Sequence, residues 1–421
     1  MARTQVVIIG GGFAGLSAAK SLNHAKFDVL LIDKTNHHLF QPLLYEVATA
    51  AFSPGEIATP LREVLRHQKN TTVIMGEVVK IDKVARQITL SNGDRVGYDY
   101  LIIAIGARHS YFGKDAWEQY APGLKTINDA VKIREQLLIS FEKAERLGNV
   151  AESAKYLNFV VIGGGPTGVE MAGAIAEIAN KTLFKNFRRI KPETSKIYLV
   201  EALPKILPMY PGHLADKAAQ ILESMGVQVL TGKKVTNIDE NGVQIEDLFI
   251  PSKNIIWAAG NQVSPLLASL EIPLDRAGRA IVDSDLTIPD HPEIFVIGDA
   301  ASLTTKEGKP VPGVAPAAMQ EGKYVAKILK TGLPKNQRPS FLYFDKGSMA
   351  TIGKAKAVAL FGKLQLSGFA AWLIWAFVHI LFLIGFRNRL SVMLEWGARL
   401  LTGERGVRLI TRPIDQESSK K

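Results

Sequence analysis

The sequence contains no cysteine in 421 residues. That excludes disulfides, thiolate-held metals and every redox mechanism that runs through a cysteine pair. It has no low-complexity tract. Nor does it have a secretory pattern: Met1-Ala2-Arg3-Thr4-Gln5 leads directly into the apolar run Val6–Ile9, so export is not expected. Acidic residues are outnumbered, 40 Asp and Glu against 51 Lys and Arg, giving a formal net charge of +11. Such a chain can approach nucleic acid or anionic lipid. No nucleic-acid motif is visible, and the cations are scattered except near the C-terminal end, where they flank an apolar block. The charge therefore favours a membrane surface, with no nucleic-acid partner and no metal site expected. At 47% apolar and 22% charged the composition is globular, and the length exceeds one ordinary core.

The strongest positive signal is one motif written twice. The first copy is the run Val6-Val7-Ile8-Ile9, then Gly10-Gly11-Gly12-Phe13-Ala14-Gly15 and the helical run Leu16–Leu22. Gly10 allows a tight turn, Gly12 lets the backbone approach a pyrophosphate, and Gly15 lets the helix pack closely on the strand. The positive helix N-terminus then faces the phosphates. The next strand, Asp28–Asp33, ends in an acid 23 residues after Gly10, placed to accept from ribose hydroxyls.

The second copy is Phe159–Ile162, then Gly163-Gly164-Gly165-Pro166-Thr167-Gly168, with the acid Glu201 closing Ile197–Glu201. Its gap from Gly163 to Glu201 is 38 residues against about 20 in the usual motif. The helix is therefore expected to extend through Asn180–Phe187. A carboxylate at Glu201 would repel a 2′-phosphate, which favours NADH over NADPH. One such turn is weak evidence of a nucleotide; two, each with strand, helix and terminal acid, indicate two dinucleotide sites.

Three further segments complete an order. Tyr98–Gly106 and Ile255–Gly260 are apolar strands ending in small-residue turns, and Ile294–Ala301 is a strand followed by Gly298-Asp299. This order resembles the two-dinucleotide disulfide reductase superfamily of flavoproteins. The resemblance implies FAD in the first site, the nicotinamide nucleotide in the inserted lobe, and contact of Asp299 with the ribityl chain of FAD. It also implies FAD contacts at Phe13, Ala14, Lys34, Ala104, Gly106, Gly298 and Ala317, and NADH contacts at Thr167 and Gly260.

Members differ in where the electrons go. Without cysteine, neither disulfide reduction nor sulfide oxidation is open to this chain. Three stretches resemble the type II NADH:quinone oxidoreductases. The first, His38–Arg62, reads physically as an apolar loop punctuated by prolines; His37 and His38 are given no role. The second is Val311–Ala326, where a proline early in a helix lets its N-terminus approach a planar ring. That family's pattern Ala-Gln-x-Ala-x-Gln is broken here by Pro316, while Gln320 keeps the second glutamine and is expected at the quinone. Glu170, two residues after Gly168 and placed on the first turn of the nucleotide helix, matches a family glutamate. Burial would suit it to carry protons, and a helix N-terminus would suit it equally.

The third stretch is Phe369–Phe386, 18 residues without formal charge. As one helix it would span roughly 27 Å, just short of the ~30 Å hydrocarbon core. Trp372, Trp375, His379, Phe382 and Phe386 recur at helical spacing. Beyond Arg387, Leu390, Met393, Leu394, Gly397, Leu400 and Leu401 share a face, with Arg399 and Arg405 nearby, as in an interfacial helix. A spanning helix, a core or dimer helix pair, and a monotopic anchor all fit this tail; the anchor fits best.

The expected protein is thus α/β, with two Rossmann-like dinucleotide-binding domains, the second inserted in the first. Residues 1–120 and 270–345 would hold FAD, 121–269 NADH, and 346–421 the membrane. The resemblance implies a dimeric enzyme on the cytoplasmic face of the inner membrane, passing hydride from NADH to FAD and electrons to quinone without proton pumping. The alternatives are a reductase of a soluble electron-carrier protein and a protein that senses NADH without turnover.

Overall fold

The computed structural model describes residues 3–305 and 308–411; Lys306, Glu307 and the final part of the expected membrane region, 412–421, lie outside the described residues. The chain divides into two compact units. One comprises 1–39, 58–108 and 261–346; the other comprises 40–57, 109–260 and 347–421.

The first unit is built on a six-stranded sheet. Its order is Thr287–Ile288, His291–Val296, Tyr100–Ile103, Thr4–Ile9, Phe27–Asp33, Thr71–Met75. All neighbours run parallel except the short edge strand Thr287–Ile288. Val6–Ile9, Leu30–Ile32, Leu101–Ile103 and Ile294–Val296 are continuous apolar runs, as a sheet covered on both faces requires. The helix Phe13–Ser21 follows the first strand and packs on the helix Ala315–Thr331. Their crossing is so close that a Cβ on Gly322 would lie 2.3 Å from the carbonyl oxygen of Ala14.

The second unit repeats the plan with four parallel strands in the order Val227–Thr231, Lys196–Glu201, Asn158–Ile162, Asn254–Trp257. The helix Pro166–Glu177 is almost wholly buried. It does not run on to Phe187 as its long gap suggested. It ends at Glu177 and relaxes into a π turn over Ile178–Thr182, after which the chain turns. Lys185 takes a left-handed backbone (φ 62°) and Pro192 opens a separate 3-10 turn, both incompatible with a continuing helix.

The C-terminal part of this unit is a three-stranded antiparallel sheet, Ser348–Thr351, Ala357–Phe361, Leu364–Gly368, followed by two helices. A Cβ on Gly173 would come within 2.9 Å of the Gly353 nitrogen, so the helix Pro166–Glu177 lies tight against this sheet. The 18-residue apolar run is not one helix. It forms Phe369–Phe382 and breaks at Leu383–Gly385, where Gly385 adopts φ 90° and caps the second helix, Phe386–Thr402. Among the described residues no helix is long and apolar enough to cross a membrane.

The stretch read as an apolar loop, 38–62, is more ordered than that. His37–Leu39 pairs with Ala58–Pro60 in the first unit. In the second unit Leu44–Ala48 is a helix buried at every position.

Candidate active site

Each nucleotide turn is held by its own acid. Asp33 Oδ2 accepts the Gly11 N–H at 2.6 Å, and its Oδ1 accepts from the Thr35 backbone and hydroxyl at 2.6 and 2.7 Å. Glu201 repeats this, with Oε2 accepting the Gly164 N–H at 2.6 Å and Oε1 the Leu203 N–H at 2.7 Å. Both carboxylates are thereby fixed in direction beside the start of the following helix. Gly10 and Gly163 take left-handed φ values of 100° and 112°. A Cβ on Gly15 would lie 1.9 Å from the Gly10 oxygen, and one on Gly168 would lie 1.8 Å from the Gly163 oxygen. The third glycine of each turn is therefore obligatory. By contrast, a Cβ on Gly12 or Gly165 would meet open space, so the turn presents its backbone to whatever lies outside.

His38, assigned no role from sequence, supports the first turn. It is buried, its Nδ1 lies 3.0 Å from the Gly11 oxygen, and its ring stands edge-on to Phe13. Burial depresses its proton affinity, keeping the ring neutral. No periodicity or spacing announces such a contact.

Lys34 is exposed beside Asp33, and Ala104 is buried under Gly10, whose Cβ would sit 2.3 Å from its oxygen. Gly106 and Gly260 both have left-handed φ near 66–67°. Thr167 stands half-buried at the start of its helix, and Ala317 is buried near the start of Ala315–Thr331.

Gly298-Asp299 forms a 3-10 turn after the strand His291–Val296. The two residues line a cleft of about 280 Å³ with Asn261, Arg279, Gly313 and Glu321. Glu321 is the residue here that sequence reading missed. It is buried and accepts the Gly298 N–H, and burial pushes its carboxyl up to about 7, opposed by that N–H and assisted by Asp299. Its position beside Gln320 in a helical run was the available signal.

Pro316 sits in the first turn of its helix as expected. The Gln320 amide is engaged at both ends: Nε2 donates to the Phe344 oxygen at 2.9 Å and Oε1 accepts the Phe344 N–H at 3.0 Å.

Glu170 is not on the first turn of its helix, which begins at Pro166 and carries no acid in that turn. The capping explanation therefore fails. Its carboxyl is buried, accepts the Thr351 N–H at 3.4 Å, and is pushed well above the usual range by burial, with Glu46 adding to the effect and the Thr351 N–H opposing it. Such surroundings favour the protonated form of the carboxyl.

The tail also departs from the expected pattern. Trp372 and Trp375 face inward, and His379 stacks on Trp375 at 4.2 Å and is lowered by burial to about 4. Arg399 and Arg405, expected beside a lipid-facing helix, are buried instead. Arg399 bonds Glu46 at 2.8 and 2.6 Å and Glu177 at 2.7 Å. Arg405 bonds Glu177 at 2.9 Å and the Thr49 oxygen at 2.7 Å. The outward face keeps Leu373, Phe377, Leu381, Phe386, Leu390, Met393, Leu394 and Leu401, with Arg387 and Arg389 exposed among them.

The duplicated nucleotide turns and the late Gly-Asp define a pyridine nucleotide-disulphide oxidoreductase, and the description of that family matches residues 4–322. An "NDH2 C-terminal domain" matches residues 346–405. A type II NADH:quinone oxidoreductase of Mycobacterium tuberculosis is 45% identical, with 97% of this chain and 90% of the relative covered. A second from the same organism is 44% identical over equal shares. The chain belongs to the type II NADH:quinone oxidoreductase family. The same fold is seen in NDH2 from Plasmodium falciparum solved with NADH, with TM-score 0.89, 23% identity, and 96% and 100% of the two chains covered. It is also seen in the sulfide:quinone oxidoreductase of Aquifex aeolicus, with TM-score 0.73, 20% identity, and 92% of each chain covered.

Proposed function

We propose that the protein oxidises NADH through a bound FAD and passes two electrons to a membrane quinone, without proton pumping. The observation that carries the two-nucleotide part is the repeated acid-to-glycine bond, 2.6 Å in each unit, beside a helix N-terminus with an open backbone. The residues present fit FAD: Gly12 leaves room for a pyrophosphate, Asp33 is held at the turn where it would meet a ribose, and the cleft at Gly298-Asp299 follows the strand His291–Val296. When bound, FAD supplies the hydride acceptor and the electron donor for quinone.

What the chain's own residues supply is position and charge. The turns Gly10–Gly15 and Gly163–Gly168 would present backbone N–H groups to phosphates. Glu201 would accept from the adenosine ribose of NADH and repel a 2′-phosphate. Asp299 would take the ribityl chain. Glu170, buried and pushed toward its protonated form, would hold a proton for quinone reduction, and Gln320 would contact the quinone by leaving Phe344. In this reading 1–120 and 270–345 form the FAD lobe, 121–269 the NADH lobe, and 346–421 the membrane region.

The exposed apolar row on the two C-terminal helices, edged by Arg387 and Arg389, supports a monotopic contact with lipid. A homodimer on the cytoplasmic face of the inner membrane completes the proposal, on family resemblance; sedimentation and protease access in oriented vesicles test it. The activity is tested by NADH oxidation with FAD-loaded protein, with and without a short-chain quinone, repeated with NADPH. Quinone-dependent turnover with NADH is expected. Turnover only with a soluble carrier protein, or none, would overturn it. For Glu170, Glu170→Gln should slow flavin reoxidation by quinone more than flavin reduction by NADH; equal effects would remove the proton-holding role.

A further inference from the structure

Glu170 is the end of a buried chain of contacts. The backbone N–H of Thr351 donates to its Oε1 at 3.4 Å. The Thr351 hydroxyl meets the Tyr45 phenol at 3.1 Å, and that phenol donates to Glu46 Oε1 at 3.0 Å. Glu46 accepts twice from Arg399, which continues to Glu177, where Arg405 joins. Every one of these side chains is buried. Glu46 accepts from Arg399 on both oxygens and from the Tyr45 phenol on Oε1. Tyr45 must then donate to it, and the Tyr45 oxygen is left to accept from Thr351. With its hydroxyl so committed, Thr351 is anchored to Tyr45 at the end of its strand, where its N–H meets Glu170.

We infer that Tyr45 and Thr351 are positioning residues for Glu170, linking it to the buried arginine–glutamate cluster of Glu46, Glu177, Arg399 and Arg405. The inference rests on Glu170 as the proton-holding group proposed above. The groups facing Glu170 come from several elements. Thr351 lies on its strand, Tyr45 and Glu46 on the helix Leu44–Ala48, and Tyr210 follows the second-unit acid, its phenol raised by Glu170 after burial. Behind Glu46 stand Arg399 and Arg405, with Glu177 on the same helix as Glu170. Burial and Glu46 favour the neutral acid; the Thr351 N–H alone favours the anion. Loosening that N–H raises the proton affinity of Glu170.

The test is stopped-flow kinetics of the two half-reactions on the FAD-loaded protein, from about pH 5 to pH 9. Reoxidation by quinone in the wild type should fall as pH rises through the titration of Glu170. In Tyr45→Phe and Thr351→Val that fall should move alkaline by about one unit, tenfold in proton affinity. Thr351→Ser, which keeps the hydroxyl, should stay with the wild type, and flavin reduction by NADH should not move in any of them. If Tyr45→Phe does not yield flavin-loaded protein, Thr351→Val decides alone. Slower reoxidation with an unmoved pH profile in these variants would overturn the positioning role. If Glu170→Gln itself keeps the wild-type profile, the Glu170 reading falls and this inference with it.

Discussion

Arg405 lies 2.9 Å from Glu177, and both side chains are buried, 228 positions apart in sequence. Burial alone would raise the Glu177 carboxyl, but Arg399 and Arg405 outweigh it and hold the group below its usual range. The cluster balances two anions against two cations.

Arg405→Met leaves one of those anions without its counter-charge. A loss of about 3–5 kcal/mol in unfolding free energy is expected, since removing one partner strands a buried charge. Because the folded Glu177 is depressed, its contribution is present above the unfolded value near 4.3 and is lost as pH falls through the folded one. In the variant this acid loss should begin at higher pH. Urea unfolding at neutral and acid pH measures both effects; unchanged midpoints would show that the pair contributes no stability.

Gly168→Ala separates the two nucleotide sites. The added Cβ would lie 1.8 Å from the Gly163 oxygen, so the helix must move away. A displacement of that size should slow flavin reduction by NADH on the order of a hundredfold. The flavin absorbance of the purified protein should remain, because the turn at Gly10–Gly15 is untouched. Loss of FAD from this variant would contradict the assignment of the second turn to NADH.

Glu201→Gln keeps an acceptor for Gly164 or Leu203 but removes the charge. The preference for NADH over NADPH should then narrow by about tenfold in kcat/KM. Steady-state kinetics with both nucleotides measures it, and an unchanged ratio would show that the carboxylate does not set the choice.

How these sites read in sequence depended on distance along the chain. The glycine turns, the acids Asp33 and Glu201, and the Gly298-Asp299 turn were legible because each is a local pattern with one steric meaning. Arg399 and Arg405 were misplaced on the lipid side because a helix period cannot say which partner waits across the core; Glu46 and Glu177 were that partner. Gap length overstates the helix that begins at Pro166 because it does not reveal a π turn. The run 369–386 hides its break because Gly385 carries no charge and so does not interrupt an uncharged stretch. His38 and Glu321 hold backbone groups brought near only by folding, and of the two only Glu321, next to Gln320 in a helical run, carries any local signal.

Glu321→Gln tests the buried carboxyl beside the cleft at Gly298-Asp299. Its folded value of about 7 lies above the unfolded value near 4.3, so the folded protein holds a proton the unfolded chain gives up. Stability therefore declines as pH rises from about 4 to 7, by about 4 kcal/mol at most. The glutamine still accepts the Gly298 N–H but does not titrate. Thermal unfolding of flavin-loaded protein should show the wild type losing ground to the variant between about pH 4 and pH 7, the window given by those two values. A difference that stays constant with pH would place the titration elsewhere.

Membrane contact calls for surface substitutions rather than truncation. Removing the two C-terminal helices would also remove Trp375, Arg399 and Arg405, all buried in the second unit, and would unfold what it meant to test. Phe377, Phe386 and Leu394 instead stand 66%, 81% and 62% exposed on the outward face. Replacing all three with serine withdraws apolar area from lipid without opening the core. Each such side chain contributes about 1.5–3 kcal/mol when buried, so binding to anionic phospholipid vesicles should fall by at least about tenfold for each. Turnover with NADH and a water-soluble quinone should persist, since the nucleotide turns are unaffected. Vesicle co-sedimentation and that turnover assay together decide the matter: full vesicle binding by the triple variant would show that this face does not meet the membrane.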